Sequence, residues 1–208
     1  MSIELTMKKI HRAANMIRER CGEAEIGVIL GSGLGDYVNA LDDATSVSYE
    51  GIPGFPVSTA PGHEGRWYCG TLHGKRVCMM QGRFHSYEGW SMEEVTMPVR
   101  VMSLLGVKTL FVTNAAGGVN ENFKPGDIMI INDQMMFCGF SPLRGKNIPE
   151  FGPRFFDVQE MYTPALRELA LSCAEDSGLT FHEGCYFFMQ GPQFETPAEI
   201  RAIRTLGG

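Results

Sequence analysis

Four side chains able to handle an anion or move a proton, Arg83, His85, Tyr87 and Glu88, fall within six consecutive positions of Gly82-Arg83-Phe84-His85-Ser86-Tyr87-Glu88-Gly89. Arginine presents a planar fork that matches phosphate oxygens, and His and Tyr add shorter donors. An exposed loop with an ordinary ion pair would use the same residue types, so the segment leaves both readings open. A second candidate is Gly31-Ser32-Gly33-Leu34-Gly35. Glycines let backbone N–H groups come close to an anion, and Ser32 offers a hydroxyl. A tight strand-to-helix turn explains the same letters. The spacing is GxGxG rather than GxGxxG, and no P-loop lysine follows, so a dinucleotide-binding oxidoreductase fails on spacing.

Weaker signals lie elsewhere. His63 stands between Gly62 and Glu64 in a Pro/Gly-rich stretch and could close over an anion, although lone histidines are usually structural or merely exposed. Asn114-Ala115-Ala116-Gly117-Gly118 offers main chain for a ligand to pack against, or simply a turn needing positive φ. Glu195 follows Phe194 after Gly191-Pro192. A carboxylate beside an aromatic ring suits a planar heterocycle, which the ring stacks and the carboxylate accepts from. Local sequence favours the plainer role of an acidic residue at a helix N-terminus, since Thr196 and Pro197 follow. His11, His73 and His182 read as structural or surface residues.

These residues need elements to hold them. Ile10, Ala13, Ala14 and Ile17 mark a helix over about Leu5 to Arg20, closed by Gly22. Ile26 to Leu30 is an apolar run without polar alternation, expected for a strand covered on both faces. Residues 52–65 read as a loop. Strands are predicted over Arg66 to Leu72 and Arg76 to Gln81, with His73-Gly74-Lys75 as the hairpin turn. A helix is predicted over Met92 to Leu105, and strands over Thr109 to Thr113, Asp127 to Asp133 and His182 to Gln190. Pro164 to Ser177 is a helix with Thr163 as its cap, and Pro197 to about Leu206 another with Thr196 as its cap. Strands alternating with helices predict one α/β domain, with the Gly-rich loops beyond the carboxyl ends of its strands converging on one site.

Bulk properties narrow the partners. The 208 residues suffice for one substantial core. The net charge is −6 without any Lys/Arg run, which argues against nucleic acid. No apolar run reaches membrane-spanning length, and the six dispersed cysteines read as reduced thiols of a cytoplasmic protein without a metal-ligand pattern.

GVILGSGLG, GFPVSTAPGHEG, QGRFHSYEG, TNAAGGVN, GFSPLRG, FGPRF and GPQFET occur in this order from residue 27 to 196. Together they resemble the trimeric, 6-oxopurine-specific class of purine nucleoside phosphorylases. The resemblance implies a single-domain, three-layer α/β fold with a central mixed sheet flanked by helices. It implies phosphorolysis of purine ribonucleosides and deoxyribonucleosides such as inosine and guanosine, giving free base and (deoxy)ribose 1-phosphate in purine salvage. Phosphate would be held by Ser32, Arg83, His85 and the backbone N–H of Ala115, with His63 in a closing loop. Tyr87 would contact the ribose, Ala115 and Phe194 would line the nucleoside site, and Glu195 would accept the purine N1–H. His85 and Glu195 would be the catalytic pair, and Glu88 would orient His85. Phe155 would cross into the neighbouring subunit's site, implying a homotrimer. Phosphate is then a co-substrate, and no cofactor or metal is expected.

Family members continue beyond Leu206-Gly207-Gly208, so the resemblance also implies an incomplete C-terminal part. That part would carry a Met-Ser segment, an Asn facing the purine, a His at the ribose 5′ end and a closing helix. A chain ending at Gly208 is expected to have little activity. Two alternatives are a non-catalytic remnant that binds phosphate or purine, and a methylthioadenosine phosphorylase. The latter would not be expected to place Glu after Phe in GPQFET, because a 6-aminopurine has no N1–H.

Overall fold

The computed structural model describes residues 3–57, 64–175 and 177–208. His63 lies outside the described residues. The chain gathers into two compact units, Met1–Ala115 with Ser141–Phe151, and Ala116–Phe140 with Gly152–Gly208.

The first unit holds α1 (Ile3–Cys21), β1 (Ile26–Leu30), β2 (Asp42–Ser48), β3 (Arg66–Leu72), β4 (Lys75–Gln81), α2 (Met92–Val95), α3 (Met97–Leu104) and β5 (Thr109–Val112). Its five strands form the mixed sheet expected from the sequence, in the order β2-β3-β4-β1-β5. The central strand β1 runs parallel to both β4 and β5, whereas β2-β3 and β3-β4 are antiparallel. Successive side chains alternate between the sheet's faces. Ile29, Trp67, Cys69, Cys78 and Met80 bury against α1 and α3, which contribute Ile10, Ala13, Ala14, Ile17, Val101 and Met102. Val28, Leu30, Val77 and Met79 bury on the opposite side with Val38, from a 3-10 segment over Gly35–Ala40, and with Leu41. Covered on both faces, β1 and β4 have no polar alternation to show. Each large side chain buried this way contributes about 1.5–3 kcal/mol relative to exposure.

Two sequence expectations shift here. Met92 to Leu105 was expected as one helix, but the backbone breaks into α2 and α3 at Thr96. Pro98 cannot donate an amide hydrogen and sits at the start of α3, where none is needed. β2 had no counterpart in the sequence reading. Its residues are polar, and only Val47 is buried among them, as suits an edge strand with one face in water. The β3-β4 hairpin turns at His73 and Gly74, both with positive φ.

Ser141–Phe151 returns to this first unit. His11 Nε2 lies 3.1 Å from a Glu150 carboxylate oxygen. Arg100 donates to the Pro142 carbonyl at 3.3 Å and stands over the Phe151 ring, 5.8 Å from its centroid.

The second unit holds β6 (Ile128–Met135), α4 (Pro164–Glu175), β7 (Phe181–Phe187) and α5 (Pro197–Leu206). β6 and β7 pair in parallel with each other. β6 is displaced by one or two residues towards the C-terminus, and β7 begins one residue and ends three residues before its expected bounds. His182 on β7 is structural here: its Nε2 meets Asp127 Oδ2 at 2.8 Å, and its ring stacks on Phe123 at 4.3 Å. Asp127 also accepts the Lys124 backbone N–H, and both bonds hold its carboxyl below the ordinary value, the backbone bond foremost.

Candidate active site

Because β4, β1 and β5 are adjacent and parallel, the loops after their carboxyl ends lie along one edge of the sheet. Contacts draw these loops together. Gly31 donates its backbone N–H to Thr113 Oγ1 at 2.8 Å, and that hydroxyl donates in turn to the Ile29 carbonyl at 3.2 Å. The Arg83 guanidinium donates a short hydrogen bond to the Thr113 carbonyl. A side chain at Gly31 has no room: a Cβ there would stand 2.5 Å from the Arg83 guanidinium and 2.7 Å from the Thr113 carbonyl. The glycine thus allows three strand ends to meet. Thr113 joins them, although the sequence reading assigned it no role. Its importance comes from partners 30 and 82 residues away, which no local pattern reveals.

The Gly82–Gly89 turn is built with equal economy. Tyr49, buried in the core, donates its hydroxyl to the Gly82 carbonyl at 2.8 Å. Burial holds that phenol well above its ordinary value, so it remains a donor. One Glu88 oxygen accepts both the His85 backbone N–H, at 2.9 Å, and His85 Nδ1, at 2.7 Å. The Glu88 side chain is almost wholly buried, whereas that of His85 is partly open. The His85 ring thus turns its Nδ1 edge to Glu88. The Tyr87 ring stacks on His85 at 4.7 Å and is half exposed. Its phenol is raised chiefly by partial burial, helped by the Glu88 charge and opposed by Arg83. Ser32 and Ala115 are exposed at the ends of β1 and β5. The structure therefore brings Ser32, Arg83, His85, Tyr87 and Ala115 onto one edge of the first unit.

Phe155, Phe194 and Glu195 belong to the second unit. Phe194 and Phe155 are almost fully exposed, at 95% and 88%, with no core to hold them. Thr196 caps α5, and the carboxylate that closes its capping box is Glu199, which accepts the Thr196 backbone N–H at 2.6 Å. Glu195 lies one residue before that cap, outside the capping box but still at the positive end of the helix.

The description of the phosphorylase superfamily matches residues 25–208 of this chain. Purine nucleoside phosphorylase 1 of Geobacillus stearothermophilus is 52% identical over 200 residues, covering 96% of this chain and 73% of that protein. The chain belongs to the purine nucleoside phosphorylases. The Bos taurus purine nucleoside phosphorylase is 50% identical over 188 residues, covering 88% of this chain and 65% of its own length. The crystal structure of isoform 2 of the Schistosoma mansoni purine nucleoside phosphorylase, in complex with cytosine and ribose-1-phosphate, superposes with a TM-score of 0.90. It is 39% identical, and the match covers 96% of this chain and 72% of that one. The purine nucleoside phosphorylases are pentosyltransferases, and the mixed α/β sheet of this chain is the fold of its solved relatives. Among the described residues no helix is long and apolar enough to cross a membrane.

Proposed function

We propose that this chain catalyses the phosphorolysis of 6-oxopurine nucleosides, inosine and guanosine and their deoxy forms, in cytoplasmic purine salvage. The observation that carries the reading is the junction of Gly31, Arg83 and Thr113, with His85 clamped by Glu88 beside it. Inorganic phosphate sits against Ser32, Arg83, His85 Nε2 and the Ala115 N–H, and His63 closes over it. Neutral imidazole with its Nδ1–H given to Glu88 accepts at Nε2 from a phosphate hydroxyl, which orients the oxyanion. Tyr87 meets the ribose. Bond cleavage then proceeds through a ribosyl cation-like state, as in glycoside hydrolysis, with phosphate taking the place of water. Proximity and fixed donors supply the catalysis, and no cofactor enters. The ribose-1-phosphate in the Schistosoma mansoni complex is the product class this chemistry requires.

Glu195 sets the base preference, because an ionised carboxylate accepts from N1–H of a 6-oxopurine but meets a lone pair in adenosine. A site built to hydrogen-bond one partner can reject the mismatched one by about 10⁴–10⁵. The test is steady-state cleavage of inosine, guanosine and adenosine, with and without phosphate, by the unsubstituted protein and Glu195→Gln. Phosphate-dependent cleavage of the first two is expected, with the gap to adenosine narrowing in the variant. Equal turnover of adenosine and inosine by the unsubstituted protein would refute the assignment. The exposure of Phe155 supports its insertion into a neighbouring subunit and a homotrimeric assembly.

A further inference from the structure

Gln81, the last residue of β4, is a buried polar residue, 8% exposed. Its Nε2 donates to the Gly35 carbonyl at 3.2 Å, and its own backbone carbonyl accepts the Gly65 N–H at 3.1 Å. In the ladder it faces Leu30, the residue before the Gly31–Gly35 turn, and it precedes Gly82-Arg83 in the chain. Its Oε1 is buried and meets no donor among the described residues. A half-satisfied amide in an apolar core costs about 1–3 kcal/mol, so stability alone would be better served by an apolar side chain of similar size.

We infer that Gln81 is a positioning residue for phosphate: its side-chain amide holds the Gly31–Gly35 turn, and with it Ser32, in register with Arg83. The inference rests on the phosphate site proposed above and adds a residue to it. Among the described residues, the other bonds at the far end of the turn are local, such as Leu34 N–H to the Gly31 carbonyl and Tyr37 N–H to the Leu34 carbonyl. The Ser32 hydroxyl and the turn's N–H groups then sample several positions, and phosphate must select one of them.

The test uses Gln81→Met, which preserves length and removes both amide atoms, and Gln81→Glu. Inorganic phosphate binding is measured by calorimetry, phosphate and inosine KM by steady-state assay, and Tm without phosphate. For Gln81→Met the expected result is a phosphate Kd and KM raised about tenfold, as for one lost hydrogen bond of moderate strength. Inosine KM should stay within about twofold and Tm be unchanged or higher. A merely structural glutamine gives a different pattern: a lower Tm with both KM values rising together. For Gln81→Glu the phosphate KM, relative to the unsubstituted protein at the same pH, should fall as pH is lowered and the carboxyl gains a proton to donate to Gly35. An unchanged phosphate Kd in Gln81→Met would overturn the inference while leaving the activity intact. Absence of phosphate binding by the unsubstituted protein would instead remove the reading beneath it.

Discussion

The Glu88 carboxylate is buried beside His85, with two N–H groups on one of its oxygens. It does two jobs in one geometry: it closes the turn that carries Tyr87, and it dictates which imidazole nitrogen is presented. Glu88→Gln keeps the shape but can offer either its oxygen or its NH₂ to Nδ1, so the ring loses its fixed tautomer. Phosphorolysis should fall by about tenfold or more in kcat/KM, equivalent to about 1.4 kcal/mol, while nucleoside KM changes little. A Glu88→Gln enzyme with unaltered kcat/KM would place the orientation of His85 elsewhere. Residues at this scale were legible in the sequence when they clustered, as Arg83, His85, Tyr87 and Glu88 do. Thr113, Tyr49 and Gln81 were not legible, because each acts on a backbone group that becomes its neighbour only when distant strands are laid side by side.

Elements were readable where burial imposed a period and obscure where it did not. α1 followed from Ile10, Ala13, Ala14 and Ile17, and α5 from Thr196 and Pro197. β2 went unseen because its outward residues, Asp42, Asp43 and Thr45 among them, give no apolar alternation. The bounds of β6 and β7 slipped because their termini are set by the ladder between them. The Asp127–His182 bond fastens the turn before β6 to β7, and its carboxyl is held below the ordinary value of 3.8. A carboxyl depressed in the folded state contributes stability above its unfolded value and loses it as pH falls through the folded one. Asp127→Asn should therefore lower Tm at pH 7, and the gap to the unsubstituted protein should close as pH drops below about 4. A gap independent of pH from 7 to 3 would mean that the charge on Asp127 contributes nothing.

At the scale of the whole molecule, the proposed insertion of Phe155 into a neighbouring subunit's site makes a prediction that no single subunit could meet. Phe155→Ala and Glu195→Ala variants should each be nearly inactive towards inosine, yet mixing them after brief dissociation should restore part of the activity. A site that takes Glu195 from the first variant and Phe155 from the second is intact. Failure of mixed, reassociated subunits to regain activity would confine Phe155 to its own chain. The order of the units along the chain has another consequence. The first unit is interrupted, since Ala116–Phe140 intervenes before Ser141–Phe151 returns to it with Glu150 and Phe151 for His11 and Arg100. During synthesis on the ribosome, the N-terminal sheet can assemble once β5 emerges, yet Arg100 and the apolar residues around it wait for Phe151. The 36 residues from Ala116 to Phe151 take about 2–7 s to translate. For that interval the nascent unit lacks the Phe151 ring that packs against its core.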